Sequence, residues 1–300
     1  MARRFQTLDV FTETALAGNP LAVVLDAEGL DDARMQAIAA EFNLSETVFV
    51  FEPRDPVNSA RVRIFTPKRE LPFAGHPTVG AAALIAHRRA TDLLAVQDLR
   101  IVLEEPIGDV VCVARRRKGH ALAAYFELPK LPQRLEDKPP STVQIAASLG
   151  LELQDIGFDG HEPSVFSAGA PFLFVPVRSL DAIGRAAPGI MPWATKDGPA
   201  TFVYTRETER EGSAYHARMF ASAWGLYEDP ATGSAVAAFA GVVQAFDRPR
   251  DGESMLTIEQ GFEMGRPSLI ALGLVIENGA LVSATIGGSV VIVSSGSLDL

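Results

Sequence analysis

Cysteine is almost absent from this 300-residue sequence, which contains only Cys112. A single thiol excludes an internal disulfide framework and fits a reducing cytoplasm. No stretch approaches the ~18 uninterrupted apolar residues that a membrane-spanning helix needs. Basic residues are also few: 27 Lys and Arg stand against 37 Asp and Glu, giving a formal net charge of −10. Binding to nucleic acid or to an anionic membrane is therefore disfavoured, and we expect a cytoplasmic protein.

Sequence signatures of metals and nucleotide cofactors are missing as well. The five histidines show no HxxxH or HExxH spacing, and no cysteine pair exists, which argues against a metal hydrolase. The glycines form neither a strand–GxGxxG–helix unit nor a P-loop. Ser234 lacks the GxSxG elbow of an acyl nucleophile. The sequence therefore supports neither a metal nor an organic cofactor.

The chain contains an internal repeat. Three segments of the first half have counterparts in the second half, in the same order and at nearly one offset. They are GNPLAVVL (18–25) with GAPFLFVP (169–176), TVFV (47–50) with TFVY (201–204), and HPTVGAAA (76–83) with DPATGSAV (229–236). Because the order and the spacing agree, we interpret the chain as two copies of one structural plan.

Short runs of β-branched and aromatic residues, bounded by turn formers, predict strands in both halves. They lie at 21–25, 47–51, 61–65, 110–114, 172–177, 201–205, 255–259 and 289–293. Two Ala-rich segments, 78–88 and 233–246, are long enough for helices and apolar almost all round. A helix without a polar face must be buried on all sides, and a sheet curled around it meets that requirement.

Smaller amphipathic helices are predicted at 31–41 and 141–149, with Asp31 and Ser141 as N-caps. The segment 129–141, rich in proline and charge, is typical of a linker. We therefore expect an α+β fold of two pseudo-symmetric domains, each a mostly antiparallel sheet wrapped around a central buried helix. The expected organisation is an N-terminal half (1–128), the linker (129–141) and a C-terminal half (142–285).

Both predicted central helices follow turns made of glycine, proline and other small residues: FAGHPTVG (73–80) and YEDPATGSA (227–235). Small residues let a ligand approach the free N–H groups of a helix start, where the helix dipole favours an anion such as a carboxylate. If a pseudo-twofold relates the halves, the two helix starts can face each other across a cleft. The candidate substrate-binding residues in these turns are Gly75, Thr78, Gly80, Thr232, Gly233 and Ser234.

Three acid–base candidates accompany these turns. His76 and Asp229 occupy equivalent positions of the repeat, immediately before each proline. Glu46 stands at the start of a predicted strand, and its counterpart in the second half is Ala200. A carboxylate present in one half only suits a one-base mechanism, in which the same group removes a proton and returns it elsewhere.

The sequence resembles the phenazine-biosynthesis PhzF-like family essentially from end to end. The resemblance rests on the opening LDVFTETALAGNPLAVV (8–24), NLSETVF (43–49), FAGHPTVG (73–80), EDPATGSA (228–235), QGFEMGRPS (260–268) and the closing segment 286–300. It implies the diaminopimelate-epimerase-like fold, which agrees with the repeat. It also implies that the final strand, about 286–300, returns to the first domain.

The resemblance also implies a mechanism. The family's catalytic glutamate corresponds to Glu46, its histidine to His76, and the aspartate and serine of its DPATGS segment to Asp229 and Ser234. The best-characterised family members isomerise trans-2,3-dihydro-3-hydroxyanthranilate, with the glutamate shuttling a proton along the ring, although the family is broad and many members lie outside any phenazine pathway. They need no metal or organic cofactor and are usually homodimers. We therefore expect a small carboxylated substrate and a homodimeric isomerase related to a biosynthetic process.

Two other functions remain open. Related epimerases use two cysteines, but Cys112 lies in a strand pattern typical of a packed core thiol, which excludes a two-thiol racemase. A carboxylate-based epimerase of an amino-acid derivative is not excluded. A non-catalytic small-molecule binder on the same fold is the third possibility, although such a protein would tend to lose Glu46.

Overall fold

The computed structural model describes residues 2–136, 138–195, 198–222 and 226–300. The chain divides into two compact units: unit 1 contains Met1–Glu127 and Gly287–Leu300, and unit 2 contains Leu128–Ile286. Among the described residues, none of the helices combines the length and the apolar character needed to cross a lipid bilayer.

Strands and helices are numbered in chain order. Unit 1 contains β1 (Ala2–Val10), β2 (Asn19–Val24), α1 (Asp32–Phe42), β3 (Glu46–Phe51), β4 (Ala60–Phe65), β5 (Glu70–Leu71), α2 (Gly75–Leu94), β6 (Leu99–Glu105), β7 (Gly108–Arg116) and β8 (Leu122–Glu127). Unit 2 contains β9 (Gln133–Arg134), α3 (Thr142–Leu149), β10 (Ser164–Ser167), β11 (Pro171–Pro176), α4 (Leu180–Arg185), β12 (Ala200–Thr205), β13 (Tyr215–Ala221), β14 (Leu226–Asp229), α5 (Gly233–Phe246), β15 (Gly252–Gln260) and β16 (Ser268–Glu277). The last strand, β17 (Ala280–Asp299), begins in unit 2 and ends in unit 1.

The two units repeat one series of strand pairings. In unit 1, β1 is antiparallel to β2, β2 parallel to β3, β3 antiparallel to β4, β4 parallel to β6, and β6 antiparallel to β7. In unit 2 the same directions recur for β10–β11, β11–β12, β12–β13, β13–β15 and β15–β16. The unit 1 part of β17 is antiparallel to β1 and lies beside Tyr125 of β8. The duplication inferred from the sequence is therefore confirmed in the topology of each unit.

Strand register confirms the alignment of the repeats. Glu46 lies opposite Leu21 in the parallel pair β2–β3, and Ala200 lies opposite Phe172 in the parallel pair β11–β12. The sequence repeat aligns Leu21 with Phe172, so Ala200 occupies in unit 2 the place that Glu46 occupies in unit 1.

A long helix forms the centre of each unit, as predicted. Strands β1, β2, β3, β6, β7 and β8 contact α2, and residues 75–86 of α2 are buried. The helix is longer than the predicted 78–88: it begins at Gly75, so that Pro77 lies inside its first turn. It also continues beyond Arg88 to Leu94, with a kink at Ala90, where the backbone angles are not helical (φ −150°, ψ 51°). The extension is mostly solvent-exposed, which explains why the apolar pattern ended earlier.

In unit 2, α5 spans the predicted range 233–246, and an aromatic cluster surrounds its middle. The ring of Phe239 lies 4.8 Å from Tyr204, 4.9 Å from Tyr215 and 5.7 Å from both Phe174 and Phe202, measured between centroids. Aromatic pairs at these separations add to the stability gained by burying their area. The predicted α+β class with a central buried helix in each half is confirmed.

The smaller helices begin where the sequence predicts. Asp31 caps α1 by accepting a hydrogen bond from the Arg34 N–H at 2.8 Å. Ser141 caps α3 and forms a reciprocal capping box with Gln144. The segment 129–141, expected as a linker, belongs to unit 2, where its strand β9 pairs with β10; position 137 lies outside the described residues.

Two helical glycines with ordinary backbone angles offer a test of this packing. A Cβ added at Gly80 in α2 would lie 2.5 Å from Leu21 Cδ2 and 3.0 Å from Val10 Cγ2, whereas a Cβ at Gly184 in α4 would meet nothing within 4 Å. Gly80→Ala should lower the free energy of unfolding by about 1–3 kcal/mol through overpacking. Gly184→Ala should leave it unchanged or raise it by up to about 1 kcal/mol, because alanine favours helix. Urea unfolding measures both, and equal stabilisation by the two variants would contradict the enclosed position of α2.

Candidate active site

Glu46 is the first residue of β3, at the rim of the apolar core of unit 1. The preceding helix α1 ends at Phe42, and its C-cap Asn43 adopts a left-handed conformation (φ 51°) that asparagine tolerates. The neighbours Val48 and Phe49 are fully buried, while the Glu46 side chain remains 14% exposed. The carboxylate is thus partly withdrawn from water and remains accessible.

His76 lies in the first turn of α2 and is directed toward Glu46. Its Nδ1 is 3.4 Å from Glu46 Oε2, a separation at which a protonated imidazole and a carboxylate would form an ion pair. Burial, however, lowers the pKa of His76 to about 3, and a hydrogen bond to the Pro20 carbonyl raises it by less. The imidazole is therefore neutral near pH 7, and the contact joins a carboxylate to a neutral ring. Within the described part of the chain, the buried Nε2 of His76 has no hydrogen-bond partner.

The start of α2 presents backbone N–H groups without a side-chain cap. The N-cap residue is Ala74, whose side chain has no hydrogen-bonding atom, and Pro77 has no N–H. The N–H groups of Gly75 and His76 precede the first intrahelical bond, in which Thr78 N donates to the Ala74 carbonyl at 3.2 Å. Together with the helix dipole, these groups favour an anion.

In unit 2, Asp229 is the last residue of β14 and precedes the helix, whereas its repeat counterpart His76 lies inside one. Asp229 Oδ2 accepts a hydrogen bond from Thr232 Oγ1 at 2.6 Å. Gln260, at the end of β15, joins the same group: its amide nitrogen donates to the Asp229 carbonyl at 2.7 Å, and its oxygen accepts from Thr232 N at 3.1 Å. The turn before α5 is therefore held by buried polar contacts.

The helix α5 begins at Gly233, with Thr232 as an N-cap whose side chain makes no capping hydrogen bond. The Thr232 hydroxyl is instead directed to Asp229 and does not cap the N–H groups of Gly233 and Ser234. Gly261 packs against this turn, because a Cβ there would lie 2.5 Å from the Pro230 carbonyl oxygen and its φ is +79°. This helix start has the same anion-binding character as that of α2.

A charged network supports the end of β15 that carries Gln260. His216 Nδ1 lies 2.9 Å from Glu259 Oε2, and its Nε2 lies 3.0 Å from Glu263 Oε1. Burial by itself lowers the pKa of His216, but the hydrogen bonds to Glu259 and Glu263 raise it to about 9. A protonated imidazole between two carboxylates thus connects β13 to β15 and to the segment that follows.

The structure brings the predicted residues into two groups, one in each unit. Glu46, His76, Gly75 and Thr78 lie together at the start of α2, while Gly80 faces the side chains of Leu21 and Val10 in the core. In unit 2, Asp229, Thr232, Gly233 and Ser234 form the start of α5. Their contacts with a substrate stay predictions. Sequence reasoning missed Gln260, although it opens the segment QGFEMGRPS and is a polar residue at the end of an apolar strand.

A central helix wrapped by strands in each unit defines the epimerase-like fold, which solved structures of a hydroxyproline epimerase and a proline racemase also show. The family model described as phenazine biosynthesis-like protein matches residues 8–296, and the chain belongs to this family. An uncharacterized isomerase of Mesorhizobium japonicum is 49% identical, over 99% of this chain and 98% of that protein. A trans-2,3-dihydro-3-hydroxyanthranilate isomerase of Pseudomonas fluorescens is 35% identical, over 88% of this chain and 87% of that protein. The protein is an isomerase of this family.

A solved structure shows the same fold. The crystal structure of the PhzF-family phenazine biosynthesis protein of Bacillus anthracis superposes with a TM-score of 0.87 at 27% sequence identity, and the match covers all of both chains. The resemblance inferred from the sequence motifs is therefore confirmed.

The neutral state of His76 is directly measurable. Because burial lowers its pKa to about 3, the imidazole should remain neutral from about pH 8 to about pH 4. Nitrogen-15 NMR of the ring nitrogens, assigned with His76→Gln, reports the protonation state. In the urea-unfolded chain every histidine should titrate near 6.5, which serves as the control. Protonation of His76 in the folded protein between about pH 5 and pH 7 would exclude the neutral pair.

The network around His216 predicts a dependence of stability on pH. Since its folded pKa of about 9 lies above the ordinary value of 6.5, its stabilisation is complete below about pH 6.5 and is lost as the pH rises through 9. The loss should reach up to about 3 kcal/mol. Urea unfolding of wild type and His216→Gln isolates the effect, because the difference in free energy of unfolding should shrink across this window. A difference that does not change with pH would contradict the protonated bridge.

Proposed function

We propose that this isomerase moves a proton on a small carboxylated metabolite, trans-2,3-dihydro-3-hydroxyanthranilate or a similar ring compound, and that Glu46 carries the proton. The observation behind the proposal is the pair formed by Glu46 and a neutral His76 at 3.4 Å. The Pseudomonas relatives named for this substrate support the choice of compound.

Glu46 acts first as a base and then as an acid. Its carboxylate removes a proton from one ring carbon, becomes a carboxylic acid, and returns the proton to another carbon of the same molecule. The atoms balance without a co-reactant. A carboxylate that is partly withdrawn from water is a stronger base than a fully solvated one, and the buried neighbours Val48 and Phe49 provide that setting.

His76 orients the base and the substrate by hydrogen bonding. A protonated imidazole beside Glu46 would stabilise the carboxylate and weaken it as a base, whereas the neutral ring does so much less. Its Nδ1 faces Glu46, and its buried Nε2 has no partner among the residues described. We assign Nε2 to a polar group of the bound substrate, because a buried polar atom without a partner is costly.

The substrate carboxylate binds at helix starts. With a net charge of −10, the protein as a whole repels an anion, so attraction has to come from local groups. The N–H groups of Gly75 and His76 provide such a site in unit 1. In unit 2 the N–H groups of Gly233 and Ser234 have the equivalent role, and Asp229 is a further catalytic group.

The repeat favours a shuttle by one residue over a two-base epimerase. At the register position equivalent to Glu46, unit 2 carries Ala200, which cannot accept a proton. A carboxylate-based epimerase remains the second candidate, and the product of the reaction distinguishes the two.

Glu46→Gln should lower kcat roughly 10²- to 10⁴-fold, because the amide cannot take up the proton. The measurement is proton NMR in D2O with trans-2,3-dihydro-3-hydroxyanthranilate. Wild type should consume the substrate and place solvent deuterium in the isomerised product. Glu52→Gln, an exposed carboxylate beyond the end of β3, is the matched control and should retain wild-type activity.

Turnover by Glu46→Gln at the wild-type rate would overturn the role of Glu46. No reaction with any of the three proteins would overturn the choice of substrate. Deuterium exchange at one carbon with inversion, and no shift of a double bond, would instead identify an epimerase.

A further inference from the structure

A second buried carboxyl group lies against the first turns of α2. Glu105 is the last residue of β6, and its Oε1 is 2.8 Å from the hydroxyl of Thr78. That hydroxyl is also 2.8 Å from the carbonyl oxygen of Ala74, the N-cap residue of α2. The turn after Glu105 contacts the same region, because Ile107 N donates to the Pro72 carbonyl at 3.3 Å.

The number of protons decides how these contacts are made. A threonine hydroxyl has one proton, so it can make one well-aligned hydrogen bond, either to the Ala74 carbonyl or to Glu105. If Glu105 were ionised, the two 2.8 Å contacts would have to share that proton, and at least one of them would be poorly aligned. A protonated Glu105 resolves this conflict, since its O–H donates to Thr78 Oγ1 and Thr78 donates to Ala74 O. Both contacts are then hydrogen bonds.

The surroundings of Glu105 agree with a neutral carboxyl. Its second oxygen, Oε2, is buried and has no hydrogen-bond partner among the described residues, which an ionised carboxylate would tolerate poorly. Burial raises the pKa of Glu105 to about 8, and a hydrogen bond donated by Thr78 to the carboxylate would lower it by less. Cys112 of β7 is a titratable neighbour, and burial raises the pKa of its thiol far above the usual range, so the thiol carries no charge.

The other charged or titratable groups near the end of β6 contact residues other than Glu105. His76, which is neutral, lies two residues before Thr78 on α2. Arg61 of β4 and Asp109 of β7 are in register with Glu104, the neighbour of Glu105. The guanidinium of Arg61 lies 4.1 Å above the ring of Phe51, and Glu104 accepts hydrogen bonds from the N–H groups of Arg54 and Asp55. No cation among these described groups contacts Glu105.

We propose that Glu105 is a positioning residue of the active site: its neutral carboxyl donates to Thr78, Thr78 donates to Ala74, and this relay holds the first turn of α2 and its anion-binding N–H groups in place. The kinetic part of this inference rests on the function proposed above. Ionisation of Glu105 breaks the relay and places a negative charge next to a site for an anion. Binding of the substrate carboxylate then weakens.

The kinetic test compares Glu105→Gln with wild type over a range of pH. In wild type, KM for the anionic substrate should rise above about pH 8, approaching about tenfold per pH unit. Glutamine keeps a donor for Thr78 and cannot ionise, so Glu105→Gln should show wild-type KM near pH 7 and no such rise. Glu105→Leu, which has no donor, should raise KM at every pH. Glu104→Gln, on the same strand, should keep the alkaline rise.

An alkaline rise in KM that persists in Glu105→Gln would overturn the proposal. So would a KM at neutral pH that is equal in the leucine and the glutamine variants, because the relay would then have no effect on binding.

Two further measurements need no substrate and therefore separate this inference from the proposed function. Infrared spectroscopy near pH 7 should show the C=O band of a protonated carboxyl group in wild type and Glu104→Gln, and lose it in Glu105→Gln. The Tm of wild type should fall relative to that of Glu105→Gln as the pH rises from 4.5 through about 8. In this range the unfolded chain releases the Glu105 proton while the folded protein keeps it, which favours unfolding of wild type. No band in wild type, or a Tm difference independent of pH, would show that Glu105 is ionised in the fold.

Discussion

Enclosure of α2 by strands is the constraint on which the rest of unit 1 depends. A helix enclosed by strands has to satisfy the buried side chains of its first turns mostly from within the protein. Residues 75–86 are buried, and this stretch includes both His76 and Thr78. Burial keeps the His76 imidazole neutral, and it makes Thr78 depend on Glu105 as a partner. The same enclosure requires a residue without a side chain at Gly80, where Leu21 packs against the helix. The chemistry of the helix start is therefore a consequence of where the helix lies.

Unit 2 meets the same requirement with different residues. The turn before α5 is closed by Gln260, whose amide contacts both Asp229 and Thr232. The position of Gln260 depends in turn on the end of β15, where Glu259 accepts hydrogen bonds from His216 and from the N–H groups of Glu209 and Arg210. Although burial opposes the ionisation of Glu259, these hydrogen bonds lower its pKa. Unit 2 thus supports its helix start with charge, whereas unit 1 supports its own with a neutral relay.

Local patterns in the sequence predicted what local physics controls. The caps Asp31 and Ser141, the strand that begins near Glu46 and the two central helices all follow from residues within a few positions of each other. The supporting residues could not be found in this way. Glu105 and Thr78 are 27 residues apart, and Gln260 and Thr232 are 28 apart, so no short motif joins them. The apolar pattern predicts the start of α2 three residues late, because Gly75, His76 and Pro77 do not extend the Ala-rich run, although proline is tolerated within the first turn of a helix.

The repeat places a carboxylate in one unit and an alanine in the other. Strand register places Glu46 and Ala200 at equivalent positions of the parallel pairs β2–β3 and β11–β12. The backbone could therefore carry a carboxylate side chain at this position in either unit. Alanine at position 200 is almost completely buried, and a carboxylate there would need a proton or a partner. In unit 1 the side chain of Glu46 remains partly exposed and has the imidazole of His76 beside it, which makes an ionised group tolerable. The difference between the units therefore lies in solvation and not in backbone geometry. An ionised carboxylate is stable at the position where water and an imidazole contact it, which is position 46 in unit 1. A proton shuttle that uses one residue twice needs only one such position.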